Sequence, residues 1–185
     1  MNTKTEKAID YLVVLEGGYD KIHKDPNDLG GVTRAGISSK WFPHLDLENM
    51  THDEIRDFYY KEFYDRLEII PFLKIRHFLF FTVINAGTSV YKNFQYHINE
   101  MLNIYGIEKQ IQVDGIIGNN TVKHMKIIID CIKEKEKYGN EERVYLYSFI
   151  DYIIKEWKES KTAKSHLAGW MNRLHNQMRY VLNEE

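Results

Sequence analysis

Glu16-Gly17-Gly18-Tyr19-Asp20-Lys21-Ile22-His23-Lys24-Asp25-Pro26-Asn27-Asp28-Leu29-Gly30-Gly31-Val32-Thr33-Arg34-Ala35-Gly36-Ile37 holds the only β-like part of this chain. Ahead of it, Ala8, Ile9, Leu12, Val13 and Glu16 recur at the i, i+3, i+4, i+7 spacing of a single helical face. Asn2 or Thr3 can cap that helix, and Gly17-Gly18 ends it, because glycine takes the left-handed C-terminal conformation at no steric cost. Residues 19–23 then read as a strand, and 25–31 are dense in turn formers. Residues 32–37 read as the returning strand, so a small hairpin with an irregular loop is expected.

Beyond Gly36 the pattern turns helical. Thr51 with Glu54 makes a capping box ahead of a helix reaching about Arg66. Pro71 precedes a strongly apolar segment, 75–84, that reads as a buried helix. Further helices are expected over 91–105, stopped by Gly106, and after the loop 112–118, capped by Asn119 or Asn120. Two more are expected over 142–159 and 165–182. The charged run 133–141 reads as a solvated helix end and loop. The expectation is an α+β, predominantly helical fold with a small β-hairpin lobe and a helical lobe. A boundary near Ser89 divides it into 1–88 and 89–185, two regions that can share one core.

Composition narrows the function classes. A formal net charge of −2 gives no whole-molecule field toward nucleic acid, so no nucleic-acid partner is expected. The most apolar window, 78–84, falls far short of the ~20 residues of a membrane span, so stable membrane insertion is not expected. The single cysteine, Cys131, excludes an intramolecular disulfide; in its apolar run it reads as a small buried hydrophobe. The first residues lack the apolar core of a signal peptide. Synthesis in the cytoplasm is therefore expected, with another agent carrying the protein to any substrate outside the inner membrane.

Glu16 is the carboxylate with a chosen position. It shares an apolar face, where desolvation favours the protonated acid, and it sits at a helix C-terminus, where the macrodipole does the same. A carboxyl group kept protonated near neutral pH is what glycoside hydrolysis needs at the leaving oxygen. Taken alone, the periodicity is better met by a glutamate at the core's edge reaching water. The loop supplies the rest: Asp25 and Asp28 can each serve as the second carboxylate, and Thr33 adds a hydroxyl to hold a water or that partner. Turn chemistry does not separate the two aspartates, since Asp also caps local amides.

Glu16-Gly17-Gly18-Tyr19, Asp25-Pro26, Asp28, Gly30-Gly31, Thr33 and Gly36-Ile37 resemble the signature of glycoside hydrolase family 108, N-acetylmuramidases of phage endolysins and some bacterial envelope proteins. Asn85-Ala86-Gly87 is similar to a later Asn-x-Gly segment of that family. Val113-Asp114-Gly115-Ile116-Ile117-Gly118 with Thr121, and Gly169-Trp170-Met171-Asn172-Arg173, resemble its accompanying peptidoglycan-binding module, although Asn99 stands where that module commonly has Gln. The resemblance implies a lysozyme-like fold with a catalytic region over 1–88 and a peptidoglycan-binding-like region over 89–185. It also implies cleavage of the β-1,4 bond between N-acetylmuramic acid and N-acetylglucosamine. Glu16, Asp25 and Thr33 would be the catalytic residues, with Tyr19, Asp28, Asn85 and Trp170 touching substrate. Peptidoglycan glycan strands are then the partner, no cofactor is required, and release through a holin-type pore supplies the missing export route. A lytic transglycosylase using Glu16 alone and a wall-binding scaffold are the alternatives.

Other chemistries find no support. The eight histidines form no His-Glu-x-x-His, so no metal site is expected, and His44, His52 and His77 read as surface or helix-end residues. There is no Gly-x-Ser-x-Gly elbow and no phosphate-binding glycine loop. Tyr145, Tyr147, Phe149, Tyr152 and Trp157 read as core and rim, leaving Trp41 and Trp170 as candidates for stacking on sugars.

Overall fold

Asn2 fixes where the first helix begins: its side chain accepts from the Thr5 amide at 2.9 Å and from the Thr5 hydroxyl at 3.2 Å. The computed structural model describes residues 1–24, 31–135, 139–160 and 163–183, without the side chains of 163–166. These residues fold into two compact units, Met1–Asp65 and Arg66–Glu185. Asp25 and Asp28 lie outside the described residues.

In the first unit, α1 (Thr3–Leu15) buries Ala8, Ile9, Leu12 and Val13 and packs on α2 (His52–Tyr59). Between them lies an antiparallel sheet of three strands, β1 (Ile22–Lys24), β2 (Val32–Arg34) and β3 (Ile37–Ser38). The expected hairpin forms between β1 and β2, and a third strand adds to it. The residues expected to form one returning strand bend back at Ala35-Gly36, where both φ angles are positive, 51° and 79°. Two consecutive positive φ values define the tight turn that best joins right-twisted strands. Arg34 then pairs with Ile37, and Thr33 with Ser38.

α2 carries the capping box in full, Thr51 accepting from the Glu54 amide and Glu54 from the Thr51 amide. Its continuation differs from the expected helix to about Arg66. The chain passes into π-helical turns at Tyr60–Tyr64 and a 3-10 turn at Asp65–Leu67.

The second unit is helical throughout its described elements: α3 (Leu73–Ala86), α4 (Ser89–Ile104), α5 (Asn119–Lys135), α6 (Glu141–Glu159) and α7 (Ala163–Asn183). α3 is buried on nearly every side, from Phe78 to Val83 without a break, and touches α4, α6 and α7. No side chain of its own caps it. The Glu142 carboxylate, from the first turn of α6, instead accepts from the Lys74 and Ile75 amides at 2.7 and 3.3 Å. A negative group there satisfies amides that have no partner within the helix and meets the positive end of its dipole. His77 is a correction: it is fully buried within α3 rather than at a surface or helix end. Cys131 is half-buried rather than buried.

The loop between α4 and α5 is held by amide side chains of α4. Gln95, buried, donates to Asp114 at 2.8 Å and to the Ile116 carbonyl at 3.0 Å, while its oxygen accepts from the Gly115 amide. Asn99 exchanges two hydrogen bonds of 2.9 Å with the backbone of Ile111. Among the described residues, no helix is long and apolar enough to cross a membrane.

Candidate active site

Glu16 is the C-cap residue of α1, and the two glycines behind it set its position. The Gly18 amide donates to the Val13 carbonyl at 2.8 Å and the Gly17 amide to Val14 at 3.3 Å. Gly17 and Gly18 hold φ of 108° and 89° to do so, a backbone that an L side chain strains. The helix therefore stops at once and Glu16, half-buried, is presented at its end.

The β2–β3 turn comes directly against it. A Cβ placed on Gly36 would stand 2.9 Å from Glu16 Cβ and 2.9 Å from the Tyr59 hydroxyl oxygen. Only a glycine permits that approach. Tyr59, buried on α2, donates its hydroxyl to the Ala35 carbonyl at 2.5 Å and so pins the turn from the other side. Burial first, and then the nearby Glu16 and Tyr19, push the Tyr59 phenol far above its ordinary value, so it stays a neutral donor.

A cavity of about 240 Å³ opens here, lined by Glu16, Gly17, Thr33, Ala35 and Gly36 and, on the β1 side, by Lys21 and His23. The structure thus brings Glu16 and Thr33 to one cavity. Thr33 arrives there because it pairs with His23 across the β1–β2 ladder, and paired residues project to the same face.

Tyr19 does not line this cavity. Its hydroxyl donates to Asp10, its ring lies 4.5 Å from that of His52, and the Arg56 guanidinium carbon is 5.2 Å from the ring centre. Arg56 in turn bridges Asp10 and Asp53, each at 2.7 Å. Burial alone would raise the Asp10 carboxyl, but the hydrogen bonds from Arg56 and Tyr19 outweigh it and hold it below its ordinary value. Asn85 is half-buried near the end of α3, and Trp170 is half-buried on α7 with its ring 5.4 Å from that of Trp157. Both belong to the second unit. Trp41 is 73% exposed.

Sequence reasoning missed the residues that lock this geometry. Arg34 is buried, and its guanidinium donates to the Tyr19 carbonyl at 2.7 Å and to the Leu47 and Glu48 carbonyls at 3.0 Å each. It thereby ties the segment behind the glycine turn to the loop before α2. Tyr59 shares the apolar face of α2 with Ile55, a spacing that signals burial but not its contact with Gly36. Among the described residues no group of three His, Cys, Asp or Glu side chains could hold a metal ion.

Residues 9–87 match the family model Glycosyl hydrolase 108. Curated proteins give no match. Among solved structures, the chain is similar to Brucella abortus SagA, at 18% identity and a TM-score of 0.67, over 97% of this chain and 94% of that one. At that identity the likeness bears on the fold, and it extends through both compact units. The glycines that end α1, the turn that meets Glu16 and the sheet that carries Thr33 all fall inside the matched range, and residues 9–87 form a glycosyl hydrolase 108 domain.

Proposed function

We propose that the protein is a peptidoglycan hydrolase, an N-acetylmuramidase that cleaves the β-1,4 bond between N-acetylmuramic acid and N-acetylglucosamine. The observation that carries this reading is the presentation of Glu16 at a helix end, in a cavity shared with Thr33 and closed by a glycine turn. In the reaction, Glu16 gives its proton to the glycosidic oxygen as the bond from that oxygen to C1 breaks. Positive charge develops on the sugar ring, and a water adds to C1 as its proton passes to a carboxylate of the site. Asp25 or Asp28 stabilises that charge or directs the water, and Thr33 holds one of them in place. Tyr19 serves the site through its anchored backbone, beside the turn that presents Glu16. Residues 89–185, with Trp170, extend the contact with the glycan strand, as does Asn85 from the catalytic region. A phage or prophage endolysin, released to the wall by a holin-type pore, is the biological setting.

The test incubates wild-type protein and Glu16→Gln with purified sacculi and analyses the soluble muropeptides. Reducing muramic acid ends from the wild type, with a loss of about 10²–10⁴-fold in the variant, is the expected result. Anhydro-muramic ends would reassign the enzyme to the lytic transglycosylases. Sedimentation with sacculi without release would leave a wall-binding protein and sink the enzyme reading.

A further inference from the structure

The Glu16 cavity also carries basic side chains that proton donation to a glycosidic oxygen does not require. Lys21 and His23 stand two residues apart in extended chain, which places both on one face, and that face lines the cavity. Lys24, on the opposite face, turns away to an ion pair of 2.6 Å with Glu48. The Lys21 stem runs beside the glycine turn, its Cδ 4.0 Å from where a Cβ on Gly17 would sit. His23 is fixed across the ladder from Thr33. An ammonium with three donors and an imidazole thus flank the acid, and Glu16 is the one carboxylate lining the cavity among the described residues.

We infer that Lys21 and His23 bind a carboxylate carried by the glycan strand, making the cavity selective for anionic over neutral saccharides. The inference rests on the glycosidase reading of this cavity. Sugar hydroxyls and acetamido groups are neutral and gain little from an ammonium. A carboxylate forms charge-assisted hydrogen bonds roughly twice as strong as neutral ones. In a cell wall such carboxylates have two sources: stem peptides in intact peptidoglycan, and lactyl ethers where the peptides have been removed.

The test compares full-length wild type, Lys21→Gln/His23→Gln and Lys21→Arg on three substrates. These are intact sacculi, glycan strands stripped of peptides by an amidase, and a β-1,4 N-acetylglucosamine oligomer that has no carboxylate. Reducing ends give kcat/KM, and calorimetry with the same substitutions in a Glu16→Gln background gives the dissociation constants without turnover. The double variant is expected to lose about tenfold or more on a carboxylate-bearing substrate and less than about twofold on the neutral oligomer, with Lys21→Arg retaining the preference. A loss on stripped strands identifies the lactyl carboxylate as the group bound; a loss on intact sacculi alone identifies the stem peptide. Equal losses on charged and neutral substrates, or no loss on either, overturn the inference while leaving the glycosidase intact. If no substrate is cleaved, the glycosidase reading falls, and the dissociation constants still decide whether the cavity prefers a carboxylate.

Discussion

Gly36 and Gly18 separate two consequences of a left-handed backbone. Both hold positive φ, so alanine at either position should cost about 1–2 kcal/mol in strain. Around Gly18 a new Cβ meets nothing within 4 Å, whereas at Gly36 it meets Glu16 and Tyr59 at 2.9 Å. Thermal melts should therefore show both variants destabilised, while sacculus turbidity assays should show Gly36→Ala alone losing most of its lytic activity. Equal activity in the two would mean that the turn does not set Glu16. Tyr59→Phe tests the same contact from α2. It leaves the Ala35 carbonyl without its donor and should cost about 1–3 kcal/mol in denaturant titrations.

Elements whose boundaries are set locally could be read from the sequence. The Asn2 cap, the Thr51–Glu54 capping box, the glycine stops at Gly17 and Gly106 and the periodic faces of the long helices all act within about one turn, and the structure has them. Thr51→Ala should accordingly lower stability by about 1 kcal/mol, seen as a lower unfolding midpoint, with catalysis unchanged. The third strand was not legible, because Ala-Gly lacks the Asn-Gly or Asp-Gly signal of a two-residue turn. Nor were the π and 3-10 turns after Tyr59, whose apolar spacing continues that of the helix ahead of them. At the site, Glu16 and Thr33 were both singled out in the sequence, and they line one cavity. The Arg34 and Tyr59 contacts were not legible there, since each joins residues 13 to 24 positions apart and depends on the finished fold.

At the scale of the whole molecule, each unit carries a group that weakens it in acid. In the second, His97 is buried, its Nε2 3.0 Å from the Ser148 hydroxyl oxygen, and its Nδ1 has no hydrogen-bond partner among the described residues. Ser148 donates to the Tyr145 carbonyl, so His97 is the donor in their contact and is neutral. Burial lowers its pKa from 6.5 to about 3. Between these values the unfolded chain binds a proton that the folded chain refuses, so stability falls as pH falls through that window. By pH 4.5 the loss reaches about 2–3 kcal/mol. His97→Gln, which keeps a donor toward Ser148, should flatten this slope in denaturant midpoints measured from pH 7 to 4.5. An unchanged slope would place the acid sensitivity elsewhere. In the first unit, the depressed Asp10 carboxyl contributes stability that is present above its ordinary 3.8 and lost as pH drops below it, a separate and lower window. The three indoles are distributed so that these events can be watched by light. Trp41 stands alone and solvated in the first unit, while Trp157 and Trp170 lie ring against ring in the second. Removing Trp41 would leave all intrinsic indole emission, and the exciton signal of a coupled chromophore pair, reporting on the second unit alone. Set against the emission of the unaltered protein, that trace would show in which order the two units unfold.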